Sequence, residues 1–238
     1  MPLQSHNVFH EIPTNFRLDI NPYVNKLKEA RYNKSLPVLF GSDLVGRKGK
    51  WLDTFRSFHY NRVQAQKIVL EIGVHKGQVI CNMAKQHPDY AFVGMDITYK
   101  RVFLTAQKAQ QHDLHNILCL LANAKNIEEL FGEDELDGVV VFFPDPWSKK
   151  KSQLHHRLID ETLCRTLMKL IKPQGFFWLK TDDKSYFSNV SESLDKVGFY
   201  DNLRTQGLPN ELYESVFEKR FREKNVKIYE GTWENNPS

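Results

Sequence analysis

Five apolar runs alternate with helical stretches across the middle of the chain, and that alternation limits the fold more than any other feature. The runs are KIVLEIG (67–73), AFVGMDI (91–97), NILCLLA (116–122), GVVVFFP (138–144) and GFFWLKT (175–181). Each is dense in Val, Ile, Leu and Phe, as a strand buried on both faces requires. Between them lie GQVICNMAKQH, YKRVFLTAQKAQQHD, IEELFGED and LIDETLCRTLMKLIKP, in which apolar residues recur three and four apart. Helices joining such strands act as crossovers, so the expected class is α/β, a doubly wound, mostly parallel sheet of Rossmann-like type. Sheets of this kind bind ligands beyond the carboxyl ends of their strands.

The first 65 residues lack sustained periodicity and are rich in polar and turn-forming types. They are expected to form an N-terminal arm with short helices (1–65), followed by one α/β unit over 66–238. With 238 residues and 41% hydrophobic content the chain can bury a full core. Its 33 Lys and Arg against 29 Asp and Glu give a net charge of +4, which carries meaning only where it clusters. Cys81, Cys119 and Cys164 are odd in number and widely spaced, pointing to neither a disulfide framework nor a CxxC metal site. The nine histidines are scattered, and no metal site is expected. The N-terminus has no apolar run of signal-peptide length, and no stretch of about 18 apolar residues occurs, so the expectation is a soluble, cytoplasmic protein.

Polar residues at the strand ends are the candidate site. LEIGVHKG closes the first run and opens a helix, placing Gly73 and Gly77 where backbone N–H groups approach a ligand. A tight strand-to-helix turn explains the same two glycines without a ligand. Asp96, at the end of the second run, is placed to accept both hydroxyls of a ribose, or to serve as a turn acid. In LANAK, Asn123 and the small Ala124 suit the edge and face of an adenine, or the start of a turn. Glu71 is different. A carboxylate between Leu70 and Ile72 inside a strand is costly unless partnered, either by a structural Lys or Arg or by a cationic amino-acid ligand. Together these positions favour a nucleoside cofactor with a positive amino-acid moiety, S-adenosylmethionine, over a dinucleotide.

NPYVNKLKEARY, GKW (49–51), LEIGVHKGQ, LANAK, FFPDPWSKK, LKTDD (179–183) and SVFEKRF (215–221) occur in the order, and with the wording, of one family. From about Asn21 to Trp233 the sequence resembles the bacterial tRNA (guanine-N7)-methyltransferases, with the PDPW block and its lysines as the most specific segment. The resemblance implies a class I S-adenosylmethionine-dependent methyltransferase fold and formation of N7-methylguanosine in the variable loop of tRNA. It implies that Asp145 is the residue essential for methyl transfer. Lys149, Asp182, Ser215 and Glu218 are implied to meet the guanosine. Glu71, Asp96, Asn123 and the backbone of Gly73 and Gly77 are implied to line the cofactor site. The chain departs from the family pattern in three places: His75 stands for a glycine, Asn123 for an aspartate, and KKKSQLHHRL for a more arginine-rich run. Ser215 in place of threonine keeps the hydroxyl.

Lys149, Lys150 and Lys151 with Arg157 make the densest positive segment. Beside a presumed active site, Lys150, Lys151 and Arg157 are expected to hold RNA phosphates. Trp147 either stacks on a base or covers the core beneath its loop. The expected partner is tRNA, with no membrane and with the chain a monomer or weak homodimer. Two other readings compete: a non-catalytic RNA-binding paralogue whose cofactor turn has decayed at His75, and a small-molecule methyltransferase on the same fold.

Overall fold

The computed structural model describes residues 21–59, 62–148, 151–201, 208 and 213–236. Eight strands form one sheet: β1 (Val38–Phe40), β2 (Lys67–Ile72), β3 (Tyr90–Asp96), β4 (Ile117–Leu121), β5 (Leu136–Phe142), β6 (Ile171–Thr181), β7 (Phe199–Asp201) and β8 (Tyr229–Asn235). Their spatial order is β1-β4-β3-β2-β5-β6-β8-β7. All pairs from β1 to β6 are parallel, while β8 runs antiparallel to β6 and to β7. The doubly wound, mostly parallel sheet expected from the apolar runs is therefore the fold.

Strand periodicity divides the core into two layers. Ile68, Leu70 and Ile72 of β2 face a cluster with Trp51, Phe55, Leu167 and Tyr186. Val69 faces the other way, towards Val24, Ile80, Met83 and Val102. Helices α3 (Gln78–Gln86) and α4 (Tyr99–Gln111) cover that second face, with α1 (Pro22–Asn33) against α4. Helices α2 (Trp51–Phe58) and α6 (Glu161–Leu170), together with α7 (Lys184–Val197), supply the first.

The segment expected to be an arm carries the short helices α1 and α2, and it also adds β1 to the sheet edge beside β4. Trp51 is fully buried, stacks on Phe131 at 5.2 Å, and donates through Nε1 to the Leu130 carbonyl. Val24 and Leu27 of α1, Leu39 and Phe40 of β1 and Trp51 and Phe55 of α2 therefore belong to the sheet's own core clusters. Two expected helices are shorter than their patterns: IEELFGED yields only α5 (Ile127–Leu130), and after Leu170 the chain turns directly into β6. At the junction the Asp134 and Glu135 N–H groups donate to the carbonyls of Lys169 and Leu170, tying the start of β5 to the helix end.

Because β2, β3, β4, β5 and β6 are parallel, Gly73, Asp96, Asn123, Asp145 and Asp182 all emerge at one edge of the sheet. The crossovers reverse direction at β2, which has β3 on one side and β5 on the other. A crevice opens at that switch point.

Candidate active site

Glu71 has its side chain on the α3 face of the sheet, buried, across from Gly94 of β3. A Cβ on Gly94 would lie 2.8 Å from Val74 and 2.9 Å from Ile80, so glycine is required there for the turn and helix to close over the strands. The carboxylate is held near the Ile80 N–H in the first turn of α3, and its Oε2 is buried with no hydrogen-bond partner. Burial, and secondarily the negative charge of Asp96, push its pKa up to about 8. Among the described residues, no lysine or arginine contributes to that balance. Of the two partners considered for Glu71, the structural cation is not what the fold supplies.

The turn after β2 separates the two glycines. Gly73 has φ +88° and open space where a Cβ would project, as close backbone approach of a ligand needs. Gly77, at φ +67°, has no such room, because a Cβ there would meet Thr105 of α4 at 2.8 Å. Its role is turn geometry and helix packing. Between them His75 takes φ +47°, a left-handed conformation uncommon for a side-chain-bearing residue. Its ring turns to Phe217, 4.7 Å away on α8 (Val216–Glu223). Burial first, then the Arg101 and Lys76 cations, lower its pKa. A narrow pocket results, bounded by Glu71, Gly73, His75 and Phe142 below and by Ser215 and Phe217 above.

Asp96 makes the turn considered for it with one oxygen and leaves the other without a hydrogen bond. Oδ1 accepts from the Thr98 N–H at 2.8 Å, forming the turn into α4, while Oδ2 is buried without a hydrogen bond, 3.6 Å from Arg101 Nη1. Asn123 caps a short helical turn, its Oδ1 accepting from the Lys125 N–H at 3.0 Å, and Ala124 is buried behind it. Next to Asp96, Ile97 is 59% exposed, an apolar surface at the strand tip that the sequence pattern did not single out.

On the other side of the switch point, Phe143 and Trp147 both have positive φ, +54° and +45°. They bracket Asp145, whose carboxylate is exposed and has no partner among the described residues. Asp182 lies half-buried at the end of β6. Trp147 is 41% exposed, so it does not cover the core.

Two expected contacts with substrate or RNA are corrected by burial. Arg157 is only 7% exposed; its Nε donates to the Pro146 carbonyl at 2.8 Å and its guanidinium lies 4.6 Å over the Tyr186 ring. It braces the PDPW loop from within and presents no charge to a phosphate. Glu218 is 2% exposed and is bound to Lys180 Nζ at 3.0 Å and to Arg222 at 2.7 Å. Its carboxylate fastens α8 to β6, with each oxygen taken by a cation and the group closed off from solvent. Ser215 is the N-cap of α8, its Oγ accepting from the Glu218 N–H at 3.0 Å, so the Ser-to-Glu spacing is a helix start. Lys180 was missed, although a lysine inside FFWLKT carries the same signal as Glu71 inside KIVLEIG. Lys149 and Lys150 lie outside the described residues, as does the side chain of Lys151.

Solved structures match this architecture over most of its length. A 16S rRNA methyltransferase, KamB, superposes with a TM-score of 0.56 at 16% identity, covering 78% of this chain and 93% of the other. An antibiotic-related methyltransferase gives 0.54 over 78% and 92%. The fold is thus that of the class I, S-adenosylmethionine-dependent methyltransferases. A family model described as a putative methyltransferase matches residues 65–231. A tRNA (guanine-N(7)-)-methyltransferase of Limosilactobacillus reuteri is 30% identical over 81% of this chain and 89% of its own length. One of Bdellovibrio bacteriovorus is 31% identical over 76% and 87%. A bifunctional glycosyltransferase/methyltransferase of Fusobacterium nucleatum is 28% identical, and the chain spans only 28% of its length. The chain belongs to the tRNA (guanine-N7)-methyltransferase family.

Proposed function

We propose that this protein transfers a methyl group from S-adenosylmethionine to N7 of a guanine in tRNA, in the variable loop as the family resemblance implies. The observation that carries the reading is the pair of buried, unsatisfied carboxylate oxygens, Glu71 Oε2 and Asp96 Oδ2, at the ends of adjacent strands. Glu71 Oε2 lacks a partner among the described residues and Asp96 Oδ2 has only the longer ion pair with Arg101, so each can take a donor. An α-ammonium group suits the first and a ribose diol the second, and the open face of Gly73 leaves room for the chain between them. S-adenosylmethionine, when bound, supplies an electrophilic methyl group on a sulfonium.

The protein's own task is then positioning. Guanine N7 already carries an in-plane lone pair, so no residue need remove a proton before attack, and alignment dominates. Asp145 offers an exposed carboxylate to the guanine N1–H and N2–H donors, on a loop that Arg157 holds rigid through Pro146. The same charge favours the positive purine that develops as the methyl arrives. Asp182 offers a second acceptor from the neighbouring strand, and adenine lacks the donor edge that two acceptors select. The exposed Ile97 gives the adenine of the cofactor an apolar face beside Asn123.

A decayed cofactor turn at His75 is the competing reading. It leaves unexplained why a chain with no cofactor retains a buried glutamate whose pKa burial raises to about 8, since that charge only costs stability. Methylation of unmodified tRNA followed by nucleoside digestion tests the proposal. N7-methylguanosine is the expected product, and Asp145→Asn is expected to keep cofactor affinity while cutting single-turnover rate by about 100-fold or more. Normal turnover in that variant would remove Asp145 from the reaction.

A further inference from the structure

Beyond the methyl-transfer centre, the loop that carries Asp145 presents a row of aromatic rings to solvent. Trp147 packs at 5.0 Å from His156, and His156 at 3.9 Å from His155. Both histidines are exposed, as is Leu154 beside them, at 40%. The chain has four tryptophans. Trp51, Trp178 and Trp233 are 0%, 1% and 1% exposed, whereas Trp147 is 41% exposed.

This exposure is enforced. A bulky residue at φ +45° is a genuine outlier, and such conformations persist only where the surroundings dictate them. Here the surroundings are visible: Arg157, immediately after His156, anchors the carbonyl of Pro146, immediately before Trp147. One buried guanidinium thus fixes both ends of the aromatic row relative to each other. The connecting segment reads Ser-Lys-Lys-Lys in the sequence, a composition suited to a polyanion and ill suited to an apolar protein surface. Row and catalytic loop are continuous, since Trp147 is two residues from Asp145.

The geometry points to Trp147 and His156, backed by His155, as a stacking platform for an unpaired base of the RNA that flanks the target guanine. The inference rests on tRNA being the substrate and adds how the neighbouring nucleotide is held. A base reached by a methyltransferase must leave its helical stack, and an aromatic face replaces the stacking lost by its neighbour. Stacking is sequence-tolerant and nearly independent of salt, unlike phosphate contacts, whose loss flattens the salt dependence.

The test uses the full-length protein and unmodified tRNA. Because only one indole is open, acrylamide quenching of tryptophan fluorescence reads Trp147 directly, and tRNA is expected to abolish most of the accessible component. Trp147→Leu is expected to weaken tRNA binding about tenfold, within the roughly 5- to 150-fold that losing one aromatic stack implies, with an unchanged log–log salt slope. Trp147→Phe should recover most of the loss. Methylation by the wild type separates the two levels of the argument. If tRNA is methylated while Trp147 stays open to acrylamide, or while Trp147→Leu binds as the wild type does, the platform is wrong and the enzyme stands. A wild type that neither binds nor methylates tRNA overturns both, and shielding of Trp147 that depends on protein concentration without RNA would assign the face to a protein contact instead. The quenching result does not depend on whether the variants fold.

Discussion

Replacing Glu71 by Gln should stabilise the ligand-free protein and cripple cofactor binding, and both effects follow from one buried oxygen. The pKa of Glu71 rises from 4.5 to about 8, because burial penalises the charge and Asp96 adds to the penalty. Between those values the native state holds a proton that the unfolded chain has released, so stability is full below pH 4.5 and declines as pH rises through the window, levelling above about 8. The cost of the group grows from about 1 kcal/mol at pH 5 to roughly 4 kcal/mol at pH 8. Glutamine cannot ionise, and its carbonyl can take the carboxylate's place beside the Ile80 N–H. Urea denaturation of both proteins without cofactor should therefore show the variant gaining roughly 3 kcal/mol on the wild type between pH 5 and pH 8. Calorimetry supplies the second arm. A cationic ligand group at Glu71 ionises it, so S-adenosylmethionine binding near pH 7 should release close to one proton in the wild type and none from this site in the variant, read from buffers of different ionisation enthalpy. A stability difference that is constant with pH, or equal proton release, would refute the assignment of an empty cation subsite at Glu71.

Asp96→Ala is expected to weaken S-adenosylmethionine binding about tenfold or more in calorimetry, because two hydroxyls lose a charged acceptor, while tRNA affinity in filter binding stays the same. Arg157→Met should cost about 1–3 kcal/mol in denaturation, from the orphaned Pro146 carbonyl, and lower the methylation rate without altering the salt slope of tRNA binding; a slope reduced by about one would restore Arg157 as a phosphate contact. Lys180→Met should be strongly destabilising, about 3 kcal/mol or more, because Glu218 is left buried with only Arg222 as partner; adding Glu218→Leu should recover much of the loss, and a double variant no better than the single would show that the pair matters for more than its charge.

The expected fold and the observed one agree wherever a local pattern determines the outcome. Both-face burial is written into KIVLEIG and NILCLLA as unbroken apolar runs, so β2 and β4 fall where they were expected, and parallel strands bring their ends to one edge whatever the loops do. Strand β1 was not legible because VLF is too short for any periodicity to show, and its membership of the sheet depends on the distant Cys119 to Leu121. Strand β8 was hidden for another reason. TWEN mixes polar and apolar residues as an antiparallel strand near the sheet edge does, and nothing nearby in the sequence announces its pairing with β6.

The site divides along the same physical line. A buried charge is visible in sequence as an acid or base inside an apolar run, but its partner is a tertiary fact. Glu71 and Lys180 carry identical local signals, two strands apart, and the fold resolves them in opposite ways. Lys180 finds Glu218 and is neutralised; Glu71 finds no cation among the described residues. Charge runs mislead for the complementary reason. Arg157 ends a basic stretch that reads as surface, yet the Tyr186 ring and the Pro146 carbonyl draw it inside. Its positive charge then acts on the reaction at one remove, through the rigidity of the loop that bears Asp145 and Trp147, and a stiff loop is what a reaction governed by alignment needs. The residue most easily mistaken for an RNA contact is thus the one whose loss should be felt in rate and stability while the electrostatics of RNA binding stay unmoved.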